Sequence, residues 1–132
     1  MSLNKVQLIG YVGTDPDLTT FPSGAKVTKF RFATTERVKA VDKNWENRTV
    51  WHSIECWERT ADYVEKWIKK GDKLYLEGSL HYNTYTDKEG IRRTQTYISV
   101  SEVIRLTART ENGEQDTTTP PPAYGGVQGL TN

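Results

Sequence analysis

At 132 residues with 35% hydrophobic residues, the chain can bury the core of one domain and is too short for two of ordinary size. A single cysteine rules out an internal disulfide, and no apolar run approaches the roughly 18 residues of a membrane span, so a cytoplasmic address is expected. The net charge of +1 divides near residue 106: residues 1–106 hold 17 Lys and Arg against 14 Asp and Glu, whereas the remainder holds Arg109 against Glu111, Glu114 and Asp116. A mildly basic domain with an acidic tail is compatible with an anionic partner and does not require one.

In chain order, Lys5 to Val12 alternates, with Val6, Leu8 and Val12 on one face and Lys5, Gln7 and Tyr11 on the other, as a half-buried strand does. A turn-rich stretch with Gly13, Asp15, Pro16, Pro22 and Gly24 follows, and Lys26 to Thr35 alternates again around Phe30 and Phe32. Lys39 to Arg48, charged around a solitary Trp45, reads as a long loop. In Thr49 to Trp57, period 2 places Val50, His52, Ile54 and Cys56 on a core face and Trp51, Ser53, Glu55 and Trp57 on the other. A short helix is expected next, with Thr60 as N-cap, Ala61, Val64 and Ile68 on its inner face, and Lys69 to Gly71 at its end. Lys73 to Tyr85 and Arg92 to Leu106 form two more strands joined by a turn at Asp87 to Gly90. Thr117 to Gly129 is threonine, proline and glycine with little to bury, and is expected to be disordered.

Three strands, a helix and two strands is the element order of an OB barrel. The expected fold is therefore all-β: a five-stranded OB-fold barrel over residues 1–106, with one short helix between the third and fourth strands and a flexible Thr/Pro/Gly-rich tail over residues 107–132. Asn4, Lys5, Val6, Leu8, Ile9 and Gly10, then Gly13, Asp15 and Pro16, Gly24, Phe30, Ala33 and Thr34, Trp51 and His52, and Lys70, Gly71, Leu76, Glu77 and Gly78 resemble the bacterial single-stranded DNA-binding proteins in order and spacing. The resemblance implies a homotetramer that wraps single-stranded DNA in replication, recombination and repair, with a cytoplasmic, nucleoid-associated location. It places base-stacking aromatics at Trp51, Trp57 and Tyr85, basic DNA contacts at Lys5, Arg59 and Lys70, and His52 at a subunit contact. Val38 stands near a position where the family often has a further tryptophan, a platform that Trp45 could replace. Ser53, His81, Asn83 and Thr84 stand where the family is often basic. The final residues, Gly129 to Asn132, lack the acidic tip through which the family recruits partner enzymes, so such recruitment has no support in this tail.

The chemistry suits these residue types. A protein indifferent to sequence must use what every strand shares, base faces and phosphates, and Arg37, Lys39, Arg48, Lys73, Arg92 and Arg93 join Lys5, Arg59 and Lys70 as candidate phosphate contacts. Stacking on an aromatic contributes about 1–3 kcal/mol per base, a value established on proteins of this class. Alternative roles stay open at this level. Trp51 and Trp57 could belong to a sheet buried on both faces, Tyr85 could be an ordinary strand tyrosine, Trp45 could pack its own loop, and Trp67 reads as helix packing. A nuclease using Asp15 and Asp17 as metal ligands is disfavoured by their place in an Asp-Pro turn. A zinc site on His52 and Cys56 fails because four residues of strand separate them by roughly 13 Å. No cofactor, metal or enzymatic activity is expected. The main alternative to DNA binding is an OB-fold primosomal or assembly module working through protein partners.

Overall fold

A computed structural model describes residues 1–107 and the backbone of residues 123–125. Its elements are β1 (Val6–Val12), β2 (Asp17–Thr20), β3 (Lys26–Lys39), β4 (Trp45–Trp57), α1 (Glu58–Trp67), β5 (Lys73–Thr86), β6 (Arg92–Arg105) and β7 (Ala123–Gly125). The strands run β1-β5-β6-β4-β3 around the sheet, and β1 returns to β3 through Tyr11↔Ala33 and Val12↔Phe32. The remaining seam, β4 with β6, is parallel at Ile54↔Ile98 to Cys56↔Val100. A five-stranded barrel closed in this order, with its helix between β4 and β5, is the expected OB fold.

Closure depends on two close approaches. A Cβ on Gly10 would lie 2.1 Å from the carbonyl oxygen of Ala33, and one on Gly78 would lie 2.0 Å from that of Ser99. Gly78 also sits at a register shift in the β5–β6 ladder, where a bulge bends the strands around the barrel. Inside, Phe30, Phe32, Ile54, Leu74, Leu76, Val100 and Val103 form one core, against which Val6, Leu8, Trp67 and Leu80 are partly buried. The helix closes one end with Ala61, Tyr63 and Val64, and Thr28 donates its hydroxyl proton to the Ala61 carbonyl at 3.0 Å. Beneath it lies an ion pair, Arg105 to Asp72 at 3.3 Å, in which the Arg105 side chain is 5% exposed. The same carboxylate accepts the Lys69 N–H at 2.9 Å.

Four sequence expectations are corrected. Asp17–Thr20, expected as turn, is a strand paired along β3 from Lys29 to Lys26. Lys39 to Arg48 is mostly ladder: β3 and β4 stay paired out to Lys39↔Trp45, and only residues 40–44 turn. That turn is held by Lys43 N–H to Ala40 at 2.8 Å and Asn44 N–H to the Asp42 carboxylate at 3.0 Å, with Lys43 in the left-handed region at φ 68°. Hydrophobic alternation is missing there because the arm projects beyond the core with both faces in water. Thr60 is not the N-cap: Trp57 holds that position without a side-chain cap bond, and Thr60 is buried within the first turn. The helix stops at Trp67 because Ile68 takes an extended backbone. Most of the tail expectation lies outside the described residues, but Ala123–Gly125 forms a strand on β6 from Ile104 to Glu102.

Candidate nucleic-acid interface

Residues directly opposite each other in an antiparallel ladder share a face, and alternate residues of one strand repeat that face. Along β4 the outer face carries Trp45, Asn47, Thr49, Trp51, Ser53, Glu55 and Trp57, opposite Lys39, Arg37, Thr35, Ala33, Arg31, Lys29 and Val27 of β3. Three tryptophans thus recur at six-residue intervals, about 20 Å apart on an extended strand, with four cations interleaved. Trp45 is 56% exposed, Trp51 51% and Trp57 38%, which excludes a sheet buried on both faces. Trp67, by contrast, packs against the core with Lys66 over its ring at 5.1 Å.

Each exposed ring is held by its neighbours. The Trp51 indole lies against Gly13, where an added Cβ would meet its Cζ3 atom at 2.2 Å. Residues 13 and 14 are fixed in turn to β3, Gly13 N–H donating to the Arg31 carbonyl at 2.7 Å and Arg31 N–H to the Thr14 hydroxyl at 3.0 Å. The Arg31 guanidinium stands 5.6 Å from the Trp51 ring centre, and Arg37 and Lys39 stand 5.8 and 6.0 Å from that of Trp45. Trp57 donates its indole N–H to Glu55 at 3.2 Å, and Phe21, from the turn after β2, stacks on it at 6.0 Å with 13° between planes. Beside Ser53 and Glu55 lies a groove of about 380 Å³ bordered also by Asp17, Lys29, Arg31 and Gln95.

The β5–β6 hairpin forms a second arm. Tyr85, opposite Arg93, is exposed and shares its face with Asn83 and His81. His81 stacks on Tyr97 at 5.5 Å, and Tyr97 lines a cleft with Trp51, His52 and Leu80. His52 is half-buried, its Nε2 is 2.9 Å from the Thr34 hydroxyl, and burial lowers its pKa from the usual 6.5. The predicted basic residues are not gathered on the tryptophan face. Lys5 is paired with Glu77 of β5 at 2.9 Å. Glu77 raises the Lys5 pKa, and hydrogen bonds from Tyr75 and Lys5 hold the Glu77 carboxyl below its ordinary value. Arg59 is exposed at the start of α1. Lys70 lies in the turn before β5, where its N–H donates to the Asp15 carboxylate at 2.9 Å. That bond gives Asp15 a structural role, and among the described residues no three His, Cys, Asp or Glu side chains converge as a metal site. Cys56 is fully buried and its thiol pKa is driven up by desolvation.

Sequence reasoning missed Lys29 and Arg31, although both stand on the polar face of the strand carrying Phe30 and Phe32. It also missed Phe21 and Tyr97, whose positions depend on a strand and a ring stack that periodicity does not display.

An OB barrel that carries an exposed aromatic and cationic face on β3 and β4 belongs, by architecture and surface, with proteins that bind unpaired nucleic acid. The Single-strand binding protein family matches residues 3–106. The chain is 41% identical to a single-stranded DNA-binding protein of Bacteroides thetaiotaomicron over 114 residues, spanning 85% of this chain and 71% of the relative. It is 39% identical to that of Neisseria meningitidis serogroup A over 112 residues, spanning 85% of this chain and 64% of the relative. The Plasmodium falciparum SSB, solved in complex with ssDNA, superposes with a TM-score of 0.75 at 32% identity, covering 81% of this chain and 97% of that one. The chain is a member of the Single-strand binding protein family.

Proposed function

We propose that this protein binds single-stranded DNA without regard to sequence, as a homotetramer serving replication, recombination and repair. The observation that carries this reading is the β3–β4 face, where Trp45, Trp51 and Trp57 alternate with Lys29, Arg31, Arg37 and Lys39 on one side of one hairpin. The rings offer base faces, the cations offer phosphate contacts, and neither discriminates among bases. Tyr85 continues the stacking surface on the second arm, while Lys5, Arg59 and Lys70 add phosphate contacts around the barrel. The protein acts by binding, not by catalysis.

Two features support self-association. From Val6 to Gly10, β1 is paired on one edge only among the described residues. Its outer face exposes Ile9 and Tyr11, an apolar surface of the kind that mates with another chain. His52 serves as a further subunit contact.

Titration with oligo-dT at several salt concentrations tests the reading. Tryptophan fluorescence is expected to be quenched, and Trp57→Ala to weaken binding to all sequences alike. Unchanged fluorescence at saturating oligo-dT would remove the stacking mechanism and favour an assembly module. Sedimentation is expected to show a tetramer, and a stable monomer at micromolar concentration would end the wrapping proposal.

A further inference from the structure

Phe21 is the one phenylalanine outside the core: Phe30 and Phe32 are buried, whereas Phe21 is 40% exposed on a polar turn. The turn fixes it, with Phe21 N–H donating to the Ala25 carbonyl and Gly24 N–H to that of Phe21, both at 2.8 Å. Gly24 supplies the left-handed backbone, φ 96°, that the reversal needs. Its ring lies nearly parallel to Trp57, whose own orientation is set by the indole bond to Glu55. The β2–β3 ladder ends at Thr20↔Lys26 just before the turn, and Lys26, just past it, is tied to Asp62 of the helix at 3.1 Å, so the segment carrying Phe21 is held on both sides. An aromatic ring held at fixed tilt, still open to solvent and continuous with the last tryptophan of the stacking face has the attributes of a base platform.

We infer that Phe21 is an additional base-stacking residue that works as a pair with Trp57, extending the path of bound single-stranded DNA from the end of β4 onto the turn after β2. This rests on the function proposed above and adds a contact that the β4 tryptophans alone do not provide. If Phe21 merely covered Trp57 as packing, any apolar side chain of similar reach would serve.

Phe21→Leu separates the two roles, because leucine keeps the apolar cover and removes the aromatic face. Affinity for oligo-dT is expected to fall about 5-fold or more, the lower end of what one stacked base contributes. In a Trp57→Leu background the same change is expected to cost markedly less, since the pair acts together. The full chain labelled with 4-fluorophenylalanine has three phenylalanines to report. The ¹⁹F signal absent from Phe21→Leu is expected to move on adding oligo-dT. A stationary Phe21 signal and parental affinity in Phe21→Leu, while fluorotryptophan at Trp57 responds, would overturn this inference and leave DNA binding standing. Silence of both labels with no binding at all would overturn the functional reading itself.

Discussion

Adding one methyl group at Gly13 separates the proposed stacking surface from the fold. Residue 13 cannot retreat from the Trp51 ring, because Gly13 and Thr14 are both hydrogen-bonded to Arg31. In Gly13→Ala the new Cβ would stand 2.2 Å from Cζ3 and 2.9 Å from Cη2 of Trp51, so the indole has to move out by about 1.3 Å to reach an ordinary contact of about 3.5 Å. Trp51 is half-exposed and has solvent to move into. The melting temperature is therefore expected to change by no more than about 2 °C, as for a surface substitution. A platform displaced by that distance forfeits much of one stacked base, about 1–3 kcal/mol in proteins of this class, or 5- to 150-fold in affinity. Gly10→Ala is the contrasting control. Its Cβ meets the backbone oxygen of Ala33, which cannot swing away, so it is expected to lower the melting temperature sharply and leave the affinity of the folded fraction unchanged. The measurements are thermal melts and fluorescence titration with oligo-dT. Parental affinity in Gly13→Ala at an unchanged melting temperature would refute the reasoning.

The charged face predicts a salt dependence: each phosphate contact on a single strand contributes about 0.7 to the slope of log affinity against log salt, so replacing Arg37 and Lys39 with Gln is expected to reduce the slope by about 1.4. An unchanged slope would place the phosphates elsewhere. Asp72→Asn leaves the Arg105 guanidinium buried beside a neutral partner and is expected to cost about 3–5 kcal/mol in urea unfolding. A loss below about 1 kcal/mol would show that the pair is dispensable. Burial lowers the His52 pKa from 6.5, so the unfolded chain binds the extra proton first. The resulting stability is present above pH 6.5 and is lost as pH falls through the lower folded value. His52→Gln should flatten that decline in thermal melts, and an unaltered profile would assign it to other groups. Arg31→Gln is expected to weaken DNA binding at low salt and to approach or exceed parental affinity at high salt, whereas a constant offset at all salt concentrations would contradict the competition described below.

The parts of the fold that were legible in the sequence are those whose residues face a core on one side and water on the other. Val6, Leu8, Phe30, Phe32, Ile54, Leu74 and Leu76 announce their strands by period 2, and the barrel order follows from them. The arms are different. Glu36 to Lys39 and Trp45 to Arg48 lie beyond the core, so no hydrophobic alternation marks them, Val50, expected on the core face, is exposed, and Trp45 reads as a loop residue until its pairing with Lys39 is seen. Six-residue spacing then puts it on the face of Trp51 and Trp57. The proposed stacking residues stand out in the sequence because large aromatics interleaved with Ser53 and Glu55 are conspicuous. The cations were legible only in part: Arg37 and Lys39 were among the candidates, but Lys and Arg stand on any solvated strand, and only register shows that Lys29 and Arg31 share the tryptophan face while Lys5 is engaged with Glu77.

The same register shows that the face is already occupied in the free protein. Arg31 lies over Trp51, and Arg37 and Lys39 lie over Trp45, each contact contributing about 0.5–1 kcal/mol at an exposed site. An incoming base, on the proposed reading, would compete for the same rings, but its stacking is stronger, about 1–3 kcal/mol. The displaced cation is not wasted either, since the strand that delivers the base also delivers a phosphate within reach of a flexible side chain. On the proposed reading, binding is an exchange in which a ring trades a cation for a base and the cation trades a ring for a phosphate. The first half is insensitive to salt and the second is screened by it. Removing Arg31 deletes the phosphate contact and also frees Trp51, and these two effects oppose each other with a balance that salt alone can tip.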